Sequence, residues 1–287
     1  MPLHTIAAPL PQHLAYAMAD ALDERGDLAL SASAFETDDG SWMFQAMTEG
    51  LPDYKAFTEI ALSVLGRELD FIVEPVPDID WVSRSLEGLS PVSAGGFYVY
   101  GSHEKTPPPA GSIPILIDAG QAFGTGHHET TAGCLEALGQ LIKQRRPRTV
   151  LDLGCGTGVL AIAAAKALKQ PVLATDIDPI AIEVTDENAK LNEVAHWVRA
   201  ETAPGMHHPV IAGSAPYDLI LANILAGPLC DLAPAIARHA AHGATIILSG
   251  LLNRQATRVI NAYAMQGVTL KKRVARGEWA TLILERN

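Results

Sequence analysis

An apolar strand, a glycine-rich turn and an alanine-rich helix follow one another at residues 150–168, and this order constrains the fold more than any other feature. The turn holds Gly154, Gly156 and Gly158, and the next apolar run ends at Asp176. Glycines let the backbone approach a ligand closely, and a carboxylate at the end of the following strand accepts hydrogen bonds from ribose hydroxyls. The pattern predicts a nucleotide-cofactor half-site in an α/β sheet.

The spacing of the glycines decides between nucleotide cofactors. Dinucleotide-binding turns follow the pattern G-x-G-x-x-G and place a pyrophosphate on the helix N-terminus. Here the spacing is G-x-G-x-G, and Asp152 precedes the turn. An acidic side chain directed into the turn would repel a pyrophosphate, but it suits a cofactor with a cationic amino-acid end. The pattern is similar to the first motif of class I methyltransferases, whose cofactor S-adenosylmethionine has an ammonium, a sulfonium and no phosphate.

The same spacing disfavours two other interpretations. A nicotinamide oxidoreductase would need tight dinucleotide binding, which Asp152 opposes. A glycine turn without a ligand is disfavoured because three glycines lose backbone entropy with no gain in packing.

The first part of the chain alternates strands and helices in the order βαββαβ, which is typical of a ferredoxin-like domain. The predicted strands are 3–7, 27–36, 42–48 and 68–74, and the predicted helices are 12–24 and 54–65, the second closed by Gly66. A proline-rich spacer at 106–112 would stiffen a connection. We therefore predict a ferredoxin-like domain over 1–76, a linker over 77–112 and a second domain over 113–287.

From residue 113 onward strands and helices alternate, which predicts a parallel sheet with helices on both faces. The predicted helices are 129–143, 158–168, 179–192, 228–241 and 253–266, and the first four strands are 149–153, 172–176, 217–222 and 244–249. The last two strands, near 269–276 and 278–285, are so close in sequence that they must form an antiparallel hairpin. Such a hairpin at the end of a parallel sheet is a feature of the class I methyltransferase fold.

Composition narrows the classes of function. The chain has 287 residues, is 48% hydrophobic and carries a net charge of −11. Residues 1–112 hold 17 acidic and 5 basic side chains, a net charge of −12. This acidic part is a poor nucleic-acid surface but could attract a basic protein, although it could equally serve solubility alone. No run approaches the roughly 18 apolar residues that a membrane span requires, and no secretory signal is visible.

Neither cysteines nor histidines predict a metal site. Cys134, Cys155 and Cys230 are odd in number and widely spaced, as reduced cytosolic thiols are. The pairs His127-His128 and His207-His208 are adjacent residues, which rarely point at one ion.

Two further stretches carry candidate functional residues. Asn223 ends the apolar strand at 217–222, the position where open α/β sheets bind ligands, and its amide can accept hydrogen bonds from an amine. The alternative is a turn-forming Asn that caps the next helix, which does not exclude a ligand contact. The second stretch, 122–131, contains Gly-Thr-Gly, which could form a flexible lid, and Thr130 and Thr131 open an amphipathic helix.

Together these stretches resemble the bacterial ribosomal protein L11 methyltransferase family, PrmA. The resemblance is carried by Phe123-Gly-Thr-Gly-His, the glycine motif at 150–158, Asp176-Ile-Asp-Pro, Ala222-Asn-Ile-Leu-Ala-Gly-Pro-Leu, Leu248-Ser-Gly-Leu-Leu and Gly277-Glu-Trp. It is dense from residue 113 to 287, and the Asn-Ile-Leu-Ala-Gly-Pro segment is its most specific element. Glu129 departs from the family pattern, which has Pro or a small residue there.

The resemblance implies a class I methyltransferase fold: a Rossmann-like, mostly parallel seven-stranded sheet with an antiparallel C-terminal hairpin, preceded by a ferredoxin-like substrate-recognition domain. It implies methyl transfer from S-adenosylmethionine to lysine and N-terminal amines of a basic ribosomal protein. We expect the cofactor to contact Phe123, Gly124, Thr125, Thr131, Asp152, Gly154, Gly156, Asp176, Ile177 and Asn223. We expect Asn223 also to act in catalysis by orienting the amine, without a strong catalytic base.

Two alternatives remain at this point. A related methyltransferase that modifies lysines of the electron-transfer flavoprotein β-subunit has the same catalytic core, although the long N-terminal domain argues against it. A non-catalytic adenosylmethionine-binding protein would lack the amine site, whereas Asn223 is present. We expect a cytoplasmic monomer that binds neither membranes nor nucleic acid directly.

Overall fold

The structure, a computed structural model, describes residues 3–25, 28–37, 40–75, 91–118 and 127–287, without the side chains of residues 23, 24, 127 and 128. The chain divides at residue 79 into two compact units. None of the helices within the described residues is both long and apolar enough to cross a membrane.

The N-terminal unit has the predicted ferredoxin-like topology. Its elements are β1 (Leu3–Pro9), α1 (Gln12–Arg25), β2 (Ser31–Glu36), β3 (Trp42–Glu49), α2 (Tyr54–Leu65) and β4 (Ile72–Pro75). The strands lie in the order β2-β3-β1-β4, and every neighbouring pair is antiparallel. Because β3 lies between β1 and β2, the unit is a split βαβ arrangement.

Burial and capping explain the elements of this unit. Ile6, Phe44 and Phe57 are fully buried, so alternate strand residues and one face of α2 share a core. The Asp53 side chain caps α2 by accepting a hydrogen bond of 3.1 Å from the Ala56 amide. Gly66 ends the helix in a left-handed conformation with φ of 70°, as the sequence predicted.

The second unit contains the seven-stranded sheet and its helices. Its sequential elements are β5 (Val92–Ala94), β6 (Phe97–Tyr100), β7 (Ile113–Leu116), α3 (His127–Gln144), β8 (Val150–Leu153), α4 (Val159–Leu168), β9 (Val172–Asp176), α5 (Pro179–Leu191), β10 (Val198–Thr202), α6 (Pro209–Ser214), β11 (Tyr217–Asn223), α7 (Ala226–His239), β12 (Ala240–Leu252), α8 (Ala256–Ala264), β13 (Val268–Arg276) and β14 (Trp279–Arg286). The strand order is β10-β9-β8-β11-β12-β14-β13. In this sheet β14 pairs antiparallel with both β12 and β13, and the other neighbouring pairs are parallel, which confirms the predicted fold class.

A small three-stranded sheet precedes the main one. Residues 92–100, assigned to the linker in the sequence analysis, form β5 and β6, and β6 pairs parallel with β7. Phe97 and Val99 are buried in the same core as Leu135 of α3, and this burial explains why the segment is structured. The backbones also meet closely, because a Cβ atom on Gly139 of α3 would overlap the carbonyl of Gly95.

The close approach at Gly139 predicts a stability difference between two glycines. Gly139→Ala should lower the melting temperature of this unit by about 3–10 °C, because two backbones would have to separate. Gly213→Ala is the matched control, since a Cβ there would meet no atom within 4 Å. The control should be neutral or slightly stabilising, because alanine favours the helix that contains it. Scanning calorimetry measures both, and equal melting temperatures would contradict the packing argument.

Candidate active site

The glycine turn connects β8 to α4 at the carboxyl edge of the sheet. Gly154, Gly156 and Gly158 have φ values of 70°, 53° and 78°, in the left-handed region that favours glycine. The amides of Gly154 and Cys155 both donate to the Thr175 carbonyl, at 2.7 and 3.0 Å. The turn is therefore held against the end of β9.

The three glycines differ in what surrounds them. A Cβ on Gly154 would overlap the side chain of Ile224, and a Cβ on Gly158 would lie 2.8 Å from Thr185. A Cβ on Gly156 would meet nothing within 4 Å. The backbone at Gly156 thus faces open space, which fits the close approach of a ligand.

Asp176 lies next to this open position. One carboxylate oxygen accepts a 2.9 Å hydrogen bond from the Gly156 amide, and the other accepts one of 3.1 Å from the Asp178 amide. Each carboxylate oxygen has a second lone pair, so the residue can still accept hydrogen bonds from ribose hydroxyls. Ile177 follows with 74% of its surface exposed, and it offers an apolar face beside the carboxylate.

Asp152 is buried beneath the turn, with only 1% of its surface exposed. Its Oδ2 accepts a 2.9 Å hydrogen bond from the Ala161 amide of α4, whereas its Oδ1 is buried without a hydrogen-bond partner among the described residues. Burial raises the pKa of this carboxyl to about 7; the Ala161 hydrogen bond lowers it and the nearby Asp176 raises it further. Its negative charge is therefore poorly compensated by the protein itself.

Three buried oxygen atoms that have no partner among the described residues lie where neighbouring strands approach their carboxyl ends. Asp152 Oδ1 belongs to β8, Thr175 Oγ1 to β9 and Asn223 Oδ1 to β11. Asp152 pairs in register with Leu221, two residues before Asn223, so the side chains of Asp152 and Asn223 project from the same face of the sheet. A buried acceptor without a donor is destabilising, by about 1–3 kcal/mol. Thr175 pairs in register with Leu153, so its side chain projects from the other face. The face that carries Asp152 and Asn223 therefore suits a ligand that brings N–H or O–H donors.

The remaining predicted residues divide into two groups. Thr131 is buried in the N-terminal part of α3, whereas Phe123, Gly124 and Thr125 lie outside the described residues. Glu129, where the sequence departs from the family pattern, lies beside the turn between β13 and β14. A Cβ on Gly277 in that turn would be 3.5 Å from the Glu129 carboxylate.

Comparisons with known proteins agree with this geometry. The family model described as ribosomal protein L11 methyltransferase (PrmA) matches residues 28–287. A ribosomal protein L11 methyltransferase from Chelativorans sp. is 46% identical over 265 residues, 92% of this chain and 87% of that protein. One from Mesorhizobium japonicum is 53% identical over 212 residues, 74% of this chain and 73% of that protein.

A solved structure gives the same result. The crystal structure of a ribosomal protein L11 methylase from Lactobacillus delbrueckii subsp. bulgaricus superposes with a TM-score of 0.60 and 29% identity, covering 67% of this chain and 94% of that one. The chain belongs to the PrmA family. It is an S-adenosylmethionine-dependent methyltransferase.

The PrmA cofactor fits the carboxyl edge of the sheet. The cofactor has a cationic ammonium and sulfonium, and Asp152 offers a buried carboxylate oxygen that lacks a partner. Its ribose needs an acceptor such as Asp176, and its adenine needs an apolar surface such as the exposed Ile177. The open space at Gly156 would let the backbone approach the ligand.

Other parts of this unit suit the cofactor less well. A cavity of about 560 Å³ lies at the opposite edge of the sheet, where it is lined by the first residues of β8, β9, β10 and β11. Ligands of open α/β sheets bind at the carboxyl ends of the strands, so the carboxyl edge is the better candidate for the cofactor site. Within the described part of the chain, no group of three or more His, Cys, Asp or Glu side chains could hold a metal ion.

Sequence reasoning missed several residues around the turn. They are Thr185 and Asn188 of α5 and its C-cap Asn192, which hydrogen-bond to neighbouring backbone. Ile224, which belongs to the Asn-Ile-Leu-Ala-Gly-Pro segment found in the sequence, packs against Gly154. The only signal for the asparagines was their i, i+4 spacing on one helix, where asparagine is a poor helix former.

The raised pKa of Asp152 predicts a pH-dependent affinity for S-adenosylmethionine. The cationic groups of bound S-adenosylmethionine favour the ionised Asp152 carboxylate. Near pH 7, where this carboxyl is partly protonated in the free protein, binding should therefore release a proton. The affinity should therefore weaken as the pH falls from 8 to 6, by up to about tenfold. Asp152→Asn should bind more weakly at pH 8 and lose this dependence. Calorimetry in buffers of different ionisation enthalpy measures both the affinity and the proton release.

Asp152→Asn, which should weaken cofactor binding, should by contrast increase the stability of the cofactor-free protein. At a pH between the ordinary pKa of an aspartate and about 7, the Asp152 carboxyl is ionised in the unfolded state but still protonated in the folded state. The free energy of unfolding that Asp152 contributes therefore decreases as the pH rises through this range. Asp152→Asn should thus stabilise the cofactor-free protein at pH 8, by about 1–3 kcal/mol. An affinity that is constant between pH 6 and 8, with no gain in stability, would contradict this account.

Proposed function

We propose that this methyltransferase transfers methyl groups from S-adenosylmethionine to amines of ribosomal protein L11, both lysine side chains and the N-terminal amine. The observation that supports this proposal best is the buried Asn223 Oδ1 at the end of β11, which has no partner among the described residues. It is an uncharged acceptor, so it can hold an amine N–H while favouring the unreactive ammonium form less than a carboxylate would. The family names support the ribosomal protein as the acceptor.

The chemistry requires a neutral amine in a place with little water. Lysine has a reference pKa of about 10.4, and burial lowers the pKa of an amine because it disfavours the charged form. S-adenosylmethionine supplies a methyl group on a positive sulfur; the N–C bond forms as the C–S bond breaks, and the electron pair stays on sulfur. Asn223 would orient the amine lone pair toward the methyl group, and positioning would supply most of the rate. The methylated nitrogen then loses its proton to water.

We further propose that residues 1–76 recognise the acceptor and that the acidic charge of residues 1–112 attracts a basic protein. Residues 77–112 would join this domain to the catalytic domain at 113–287, and within them β5 and β6 pack in the catalytic unit. Leu30, Leu51 and Ile72 of the N-terminal unit expose more than half of their surfaces, which suits a surface that binds a protein. The enzyme would act on L11 as a cytoplasmic monomer, without direct contact to nucleic acid.

The affinity for L11 should fall as salt rises from 50 to 500 mM, because salt screens the attraction between the acidic residues and a basic protein. An affinity independent of salt would contradict this electrostatic attraction.

The acceptor can be identified by intact-mass analysis. The full-length protein is mixed with S-adenosylmethionine and offered purified L11 or electron-transfer flavoprotein β-subunit, both from the same organism. We expect successive additions of methyl groups on L11 alone, with peptide mapping locating them on lysines and the N-terminus. Methylation of only the flavoprotein subunit would transfer the assignment to that substrate, and methylation of neither would refute both acceptors.

Asn223→Ala should reduce kcat on L11 by about 10²-fold or more, because the amine would no longer be held in line with the methyl group. Asn261→Ala, which removes an exposed asparagine of α8, is the matched control and should leave kcat unchanged. Circular dichroism and melting temperature verify that both variants are folded. Full activity of Asn223→Ala between pH 7 and 10 would exclude this role.

A further inference from the structure

One face of α5 carries a buried row of three polar residues, which we name the α5 polar row: Thr185, Asn188 and Asn192. Their i, i+3 and i+7 spacing places them above one another on the helix. Asn188 and Asn192, with 1% and 5% of their surfaces exposed, are as buried as core residues. Buried asparagines near the end of a helix need partners, and the partners show what the row does.

The first set of partners is the backbone of the glycine turn. Thr185 Oγ1 donates to the Gly156 carbonyl at 2.9 Å, and Asn188 Nδ2 donates to the Thr157 carbonyl at 2.9 Å. Two successive carbonyls of the turn are thus drawn toward α5. The Gly156 carbonyl and the Thr157 N–H belong to the same peptide group. In a planar trans peptide these two bonds point in opposite directions, so the Thr157 N–H points away from α5. The row therefore sets the orientation of the turn at its open position.

The second set of partners is the chain that leaves β7. Asn188 Oδ1 accepts from the Asp118 amide at 3.1 Å. Asn192 Oδ1 accepts from the Leu116 amide at 3.0 Å, and its Nδ2 donates to the Leu116 carbonyl at 2.6 Å. In sequence, Asp118 lies five residues before Phe123, the first of the residues expected to contact the cofactor.

Asn188 is the member of the row that contacts both partners. Its amide donates to the turn and accepts from the chain after β7, which only a side chain with both a donor and an acceptor can do at this position. Asn192 holds the same chain two residues earlier and hydrogen-bonds within the end of α5, but among the described residues it makes no hydrogen bond to the turn. The two asparagines therefore differ in one respect, the contact with the glycine turn.

We propose that Asn188 is a positioning residue for S-adenosylmethionine, which fixes the glycine turn relative to the exit of β7. It does not touch the reacting atoms. Its effect is to hold the glycine turn and the exit of β7 in one arrangement before the cofactor arrives, so that binding does not have to order the turn. Asn192 anchors the same exit for stability alone.

Asn188→Asp isolates the contact with the turn, because a carboxylate still accepts from the Asp118 amide but cannot donate to the Thr157 carbonyl. Asn192→Asp is the matched control on the same helix. We expect both variants to lower the melting temperature, whereas only Asn188→Asp should weaken binding of S-adenosylmethionine, by about tenfold. Titration calorimetry with the cofactor alone measures this affinity, so the result does not depend on which acceptor the enzyme uses.

Thr185→Val provides a second test, since it removes the hydrogen bond to the Gly156 carbonyl with little change in volume. It should weaken cofactor binding in the same direction as Asn188→Asp, measured by the same titration with the cofactor alone. The proposal is overturned if Asn188→Asp and Asn192→Asp change the affinity equally. It is also overturned if the Asn188 and Thr185 variants lose stability but bind the cofactor normally.

Discussion

The carbonyl oxygen of Thr175 holds the glycine turn against β9, and the rest of the candidate site depends on this contact. It accepts the amides of both Gly154 and Cys155, so the chain leaves β8 in a sharp turn that requires left-handed backbone at three glycines. The next residue after Thr175 is Asp176, whose carboxylate accepts the Gly156 amide. One short stretch of β9 thus fixes both the turn and the carboxylate, and neither can shift without the other.

Around this frame lie polar groups that the described part of the chain does not satisfy. Asp152 Oδ1 and Asn223 Oδ1 are buried on the same face of the sheet, and no described residue donates a hydrogen bond to them. Burial raises the pKa of Asp152 to about 7, so near neutral pH the ionised form weakens the cofactor-free fold. A cationic ligand would reverse this effect, because it stabilises the ionised form. The buried Asp152 carboxylate therefore lowers the stability of the cofactor-free protein and raises its affinity for a positively charged cofactor.

Sequence alone could predict the parts of this site that have local signals. The glycine turn, Asp176 and Asn223 each stand at the end of an apolar run, so their place at the sheet edge follows from pattern. By contrast, β10 was missed because in Val198–Thr202 only the first residue is buried, and an edge strand with exposed charges has no apolar run. The role of Asn188 could not be predicted, since it depends on Asp118, which lies 70 residues away in sequence.

Ile224 links the Asn223 segment to glycines in two other motifs of this chain. Its side chain occupies the space that a Cβ on Gly154 would need, and its backbone occupies the space that a Cβ on Gly250 would need. The segment that carries Asn223 is therefore packed between the first motif and the end of β12, and a larger residue at either glycine would displace it. The position of the asparagine amide is thus set by its neighbour Ile224, which interlocks three sequence motifs that are far apart along the chain.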